Sequence, residues 1–255
     1  MKVPLKPKPH LQYLAQLRRT NSIRQDERLH CLLTQAESQL GAAGATFAPR
    51  DLATLAWADA KRVAWHSGAS ASGQVGGATS VDTPVLGAVA REVERRAAET
   101  GLGAFSAQEL ATLAWAAGTT RSQHTLLSDV AAEVVARAGC GDAAKEPAGA
   151  PLADFKPQEL KDLAWAAARV QVCAAPMLAA VAEAAARRPL ATFKDQELCA
   201  LVWGLAKAPV KSSDAAAHAI SVRTLVAHAA KEVCPDCSRC RVSKLEPRCG
   251  AVQHG

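Results

Sequence analysis

Apolar positions in this chain recur at intervals of three and four residues, the spacing of one face of an α-helix, and rarely alternate as a half-buried strand requires. The pattern is clearest in four stretches that align without a gap. They are residues 47–60 (FAPRDLATLAWADA), 105–118 (FSAQELATLAWAAG), 155–168 (FKPQELKDLAWAAA) and 193–206 (FKDQELCALVWGLA). Each opens on a Phe (Phe47, Phe105, Phe155, Phe193), passes two leucines and reaches a Trp ten residues on (Trp57, Trp115, Trp165, Trp203). A second helical pattern follows each stretch, at 85–98, 125–138, 176–188 and 221–233, and another at 26–40 precedes the first Phe. Leu178, Val181, Ala182 and Ala185 mark its apolar stripe in the third unit.

The Phe-to-Phe returns are 58, 50 and 38 residues, so the shortest is the bare period. The longer two carry insertions, Gly/Ser/Ala-rich at 66–80 and Gly/Pro/Ala-rich at 139–151, which a repeat array tolerates at small entropic cost. Residues 10–17 (HLQYLAQL) read as a worn first helix with Gln16 where the Trp would stand. The expected architecture is therefore all-α: a right-handed αα-hairpin solenoid of about four to five repeats. Its divisions are a degenerate cap at 1–40, the array at 41–233 and a basic, Cys-containing tail at 234–255, expected to be disordered.

Local chemistry agrees with helix starts at these places. Pro49 and Pro157 suit a first turn, where a missing N–H costs nothing. Ser106 with Glu109 spells a capping box, and Asp51, Glu109, Glu159 and Glu197 place an acid in each first turn. On a helical wheel with Leu110 at the origin, Leu113, Ala114 and Ala117 fall within about 60°. Trp115, Ala111 and Gln108 lie on another face, between about 100° and 160°. A helix with two apolar faces is one wedged between its own partner and a neighbouring unit. Phe47, Phe105, Phe155, Phe193 and the four tryptophans are accordingly read as inter-repeat core.

Composition narrows the function. Ala and Leu dominate, aromatic residues are 4% and there is one Tyr. No apolar run is long enough to cross a membrane, and no membrane partner is expected. The opening MKVPLKPKPH is neither a secretory signal nor, with its prolines, an amphipathic transit helix. The net charge of +6 is carried by the ends: residues 1–40 contribute +4, residues 223–255 contribute +3, and the middle is −1. Global charge thus does not announce a nucleic acid, and any such claim must rest on local placement.

Eight cysteines without a signal peptide do not make a disulfide scaffold. Cys234, Cys237 and Cys240, with Cys249 and His254 beyond, form a candidate zinc set. A second well-separated pair and the knuckle glycines are missing, so a reduced tail is preferred and no metal or cofactor is expected. There is no H-E-x-x-H, G-x-S-x-G, P-loop or G-x-G-x-x-G, and no catalytic residue is assigned; the chain is read as a non-enzyme.

The spacing F-x-x-Q-E-L-x-x-L-x-W-A-x-A, a second helix and a 38-residue return resemble the octotricopeptide repeat and the related helical repeats of FAST-kinase-like and RAP-domain proteins. The resemblance covers Phe47 to about Val233, with residues 155–207 the closest match, and no RAP domain follows. It implies an α-solenoid that binds single-stranded RNA in the mitochondrial matrix or a plastid. Such a protein acts in transcript processing, stability or translation, among organellar ribonucleoprotein components.

The residues offer their own candidate for that role. Four positions after Trp stand Lys61, Thr119, Arg169 and Lys207; seven positions earlier stand Thr54, Thr112, Asp162 and Ala200. Both project at about 180–200° on the wheel, the strip left polar by the packing faces. Lys61, Arg169 and Lys207 are the candidate phosphate contacts, and Thr54, Thr112 and Asp162 the candidate base-facing residues. The competing account of the cations is helix-dipole complementation at a C-terminus. The competing account of the whole is a protein-interaction scaffold of the HEAT or TPR kind, without RNA. A third is a portion of a longer protein.

Overall fold

The computed structural model describes residues 27–40, 47–66, 83–122, 124–139, 152–172 and 174–209, with isolated positions Ala219, Val222, Arg223 and Leu225. These residues form eight α-helices and no strand: α1 Glu27–Leu40, α2 Pro49–His66, α3 Pro84–Glu99, α4 Ala107–Thr120, α5 His124–Gly139, α6 Pro157–Val170, α7 Ala175–Ala186 and α8 Asp195–Lys207, with a 3-10 turn at Leu190–Thr192. The expected all-α class holds. Residues 10–17, most of the expected helix at 221–233 and the Cys234, Cys237, Cys240 and Cys249 tail lie outside the described residues.

The helices begin where the sequence places their caps. Ser106 and Glu109 form the full box: the Ser106 N–H donates to Glu109 Oε2 at 2.8 Å, and the Glu109 N–H donates to Ser106 Oγ at 3.3 Å. The other units keep half of it. Backbone N–H groups of Ala48, Lys156 and Lys194 donate to Asp51, Glu159 and Glu197 at 3.3, 2.7 and 3.0 Å. The repeated acid thus satisfies an orphan donor as well as meeting the dipole.

The helices pack in two rows. In one, α2, α4, α6 and α8 stack in series; in the other, α1, α3, α5 and α7 do so, and each pair α2/α3, α4/α5 and α6/α7 joins the rows. The first row is the tighter, and its small residues are the reason. Ala58, Ala116 and Ala166 are fully buried, and Gly204 holds the equivalent place in α8, where a Cβ would lie 2.6 Å from the Ala164 carbonyl carbon. Leu52, Leu55, Leu110, Leu113, Leu160 and Leu163 are fully buried between the rows, and Phe47, Phe105, Phe155 and Phe193 are buried at 1–7% exposure. The Phe positions are core, as expected.

Two repeated features escape a motif reading. Leu102, Leu152 and Leu190 stand three residues before Phe and accept its N–H at 2.9, 3.0 and 2.9 Å. An arginine late in the second helix, or just past its end, then ties to a backbone carbonyl of this turn in two units and to that of the Phe itself in the first. Arg96 donates to the Phe47 carbonyl at 2.6 Å, Arg137 to that of Phe105 at 2.6 Å, and Arg188 to that of Leu152 at 2.7 Å. Glu92 and Glu133, one turn earlier, hold Arg96 and Arg137 in place. Arg137→Ala is expected to cost about 1.5–3 kcal/mol, the range for a hydrogen bond to a charged group, read as a shift in urea midpoint. Arg95→Ala, an exposed neighbour paired only along its own helix, is expected to cost well under that.

The tryptophans need a correction. Trp57, Trp115 and Trp165 pack against the core but are only partly buried, and Trp203 is 41% exposed. Trp165 shows why they are half in and half out. Its ring lies on the preceding unit, where a Cβ on Gly118 would come within 2.8 Å of it. One ring flank is therefore junction, while the other borders the open strip. On α8 no further described helix covers the outward side, so Trp203 and its neighbour Val202 stay exposed and Trp203 is not core.

Candidate nucleic-acid interface

The open strip of the first row is built from the residues that the packing faces leave over. On α4, Leu110, Leu113, Ala114 and Ala117 are buried, while Thr112, Trp115 and Thr119 are partly exposed, at intervals of three and four residues. Trp115 therefore sits between the two positions singled out for ligand contact. The same order holds on α2, with Thr54, Trp57 and Lys61.

Three units contribute to one groove of about 320 Å³ on this side. Helix α2 supplies Trp57 and Lys61; α4 supplies Gln108, Ala111, Thr112 and Trp115. The start of α6 supplies Gln158, Glu159, Lys161 and Asp162, with Lys156 just before it. Of the six residues expected at an interface, Lys61, Thr112 and Asp162 thus meet in one place. Thr54, Arg169 and Lys207 do not line it; Thr54 is on α2, Arg169 near the end of α6 and Lys207 exposed at the end of α8.

The cations are not simply waving in solvent. Lys61 Nζ lies 5.9 Å from the centre of the Trp57 ring and 5.3 Å from that of Trp115, so it bridges two units through two aromatic faces. Burial against these rings lowers its pKa from the ordinary lysine value. Arg169 repeats part of the arrangement two units on, over one ring rather than two. Its guanidinium lies 5.2 Å from the Trp165 ring centre, and its Nε donates to the Gly118 carbonyl at 3.4 Å. Burial lowers its pKa too, with Arg121 adding repulsion. Among the described residues Lys207, exposed at the end of α8, lies over no ring. Dipole complementation alone does not account for a cation seated on a tryptophan of the same strip.

The hydroxyls on the strip have their protons committed. Thr54 Oγ1 donates to the Arg50 carbonyl and Thr112 Oγ1 to that of Gln108, both at 2.7 Å. Each then offers only lone pairs outward. Asp162 is the anomaly of the groove. It is 8% exposed, its Oδ1 makes no hydrogen bond, and that atom lies 2.5 Å from Lys161 Nζ as an ion pair without hydrogen-bond geometry. Burial pushes its pKa up to about 6, against the opposing pull of Lys161. The fold does not demand an acid there, since the equivalent residues are Thr54, Thr112 and Ala200.

The sign of the resulting pH effect follows from linkage. With the folded pKa raised above the unfolded one, the native state binds the proton more tightly between about pH 4 and 6. Asp162 therefore destabilises the fold fully above that window and ceases to do so as pH falls through it. Urea midpoints of the parent, compared with Asp162→Asn, are expected to converge on going from pH 7 to pH 4.5. The substitution itself is expected to be stabilising at pH 7.

Sequence reasoning missed the α6 cations. Lys156 follows Phe155 directly, and Lys194 stands at the same place after Phe193, so a second recurring basic position was there to find. Among the described residues no group of His, Cys, Asp and Glu could hold a metal ion, and no helix is long and apolar enough to cross a membrane. No protein-family model, no curated protein and no solved structure matches the chain.

Proposed function

We propose that this chain is a right-handed αα-hairpin solenoid of four to five units that binds single-stranded RNA along the open side of its first-helix row. The observation that carries the reading is the seating of Lys61 between Trp57 and Trp115 in a groove shared by three successive units. Aromatic faces beside cations are the elements of single-strand binding, one for the base plane and one for the backbone. Lys156 and Lys161 add charge on the far wall, so three lysines outweigh Glu159 and Asp162, although the repeat body as a whole is near neutral. The protein acts by binding alone, in transcript processing, stability or translation in a mitochondrion or plastid, as the octotricopeptide resemblance implies.

The rival is a scaffold whose groove grips a peptide, and the near-neutral body is the observation in its favour. The two part in a direct titration. The full chain is expected to bind a fluorescent single-stranded RNA, to bind the same sequence worse when its complement is annealed, and to weaken steeply with salt. Indifference to salt and strandedness rejects the RNA reading. Crosslinking to RNA in cells, followed by sequencing, then identifies the transcript.

A further inference from the structure

Asp162 is a buried carboxylate that lines a groove, its Oδ1 is held by the Lys161 ion pair alone, and the equivalent positions carry Thr54, Thr112 and Ala200 instead of an acid. What such a group accepts is N–H donors. Thr112, on the facing helix, has given its proton to the Gln108 carbonyl and can likewise only accept. Lys161 Nζ, paired with Asp162 Oδ1, is a donor already drawn to these acceptors. The wall therefore presents a cation beside a set of acceptors.

Unpaired bases differ in what they offer to such a wall. Cytosine shows one amino group followed by two acceptors, and adenine one amino group beside a ring acceptor. Uracil has a single N–H between two carbonyls. Guanine alone carries two adjacent donors, N1–H and the N2 amino group, with the O6 acceptor next to them. A carboxylate meets two parallel donors with its two oxygens, the strong bidentate form of a charge-assisted bond. We propose that the Asp162–Lys161 wall of the groove selects guanine in single-stranded RNA, with Asp162 accepting from N1 and N2 and Lys161 donating to O6. Thr112 takes the second amino hydrogen, and Trp115 offers a face to stack on. Lys161 swings from Oδ1 to O6 as the base enters, so that the carboxylate exchanges an ion pair for directed bonds.

The inference rests on the RNA reading and is tested apart from it. The probes are short uridine oligonucleotides with guanosine, inosine, adenosine or cytidine at every third position, titrated into the full chain by fluorescence anisotropy. The guanosine probe is expected to bind about tenfold tighter than the adenosine and cytidine probes, the scale of one good bidentate contact. Inosine, which lacks the N2 amino group, is expected to fall between. Asp162→Asn keeps the shape but turns an acceptor into a donor, and is expected to erase the guanosine preference while all probes still bind. Thr112→Val, which leaves the ion pair untouched, is expected to narrow the preference and serves as the second reading should Asp162→Asn melt early. Equal binding of the four probes by the parent, or a preference that survives Asp162→Asn, overturns the guanine assignment and leaves RNA binding standing. Failure of every probe to bind overturns both.

Discussion

Changing Lys61, Arg169 and Lys207 together to Ala is expected to weaken single-stranded RNA binding and to lower the log–log salt slope by about two units. Each phosphate contact on a single strand contributes roughly 0.7 to that slope, so three lost contacts give this value. Two of the three cations lie on tryptophan faces in the folded chain, so their removal also strips the rings of a charged neighbour. Arg169 further ties α6 to the Gly118 carbonyl, and its loss alone could loosen the junction. Arg169→Lys separates the two roles: charge stays, the planar guanidinium goes. If the salt slope follows charge and the melting midpoint follows the guanidinium, the cation is a backbone contact and a tie at once. The control is Arg239→Ala with Arg241→Ala and Lys244→Ala in the basic tail. Loss of binding in that variant, with the repeat variant unaffected, would move the nucleic-acid element to the tail.

Replacing both Gly118 and Gly204 by Ala is expected to destabilise the array by about 2–6 kcal/mol, on the scale of about 1–3 for each over-packed site. Intrinsic propensity predicts the opposite, a gain of about 1 kcal/mol per Gly→Ala exchange in a helix interior. Tertiary contact decides the sign. A Cβ on Gly118 would lie 2.8 Å from the Trp165 ring and 2.9 Å from Ala166 Cα. One on Gly204 would lie 2.6 Å from the Ala164 carbonyl carbon and 2.8 Å from the Trp165 nitrogen. Backbone atoms cannot swing aside as a flexible side chain can, so α6 must move away from α4 and α8. Both sites press on α6, and their costs are expected not to add simply. Thermal and urea melts of the single and double variants check this; a double variant as stable as the parent would show that the rows have slack.

Helix class, helix starts and the Phe core were legible in the chain because each is a local matter. Period sets the face, and an acid or Ser at a known offset sets the cap, as Ser106 and Glu109 show to the atom. Burial of Phe47, Phe105, Phe155 and Phe193 follows from repetition alone. A wheel has one helix in it, however, and the tryptophans depend on two. Their place at 140° put them among packing residues; the neighbouring unit decided that one flank is covered and the other borders the strip. Trp203 holds the same place in its stretch as Trp165, and the lack of a described neighbour on that side of α8 leaves it exposed. The grouping of Lys61, Thr112 and Asp162 was likewise half legible. Register placed all three on one strip, but the strip runs along every unit, and the groove spans only the first three. The carbonyl-locking arginines, Arg96, Arg137 and Arg188, had no signal at all. Their partners lie 49, 32 and 36 residues away, a separation set by insertion lengths that vary from unit to unit. Sequence by itself determined what each helix is; the distance between helices, fixed by small residues such as Gly204 meeting a backbone, decided which side chains share a space.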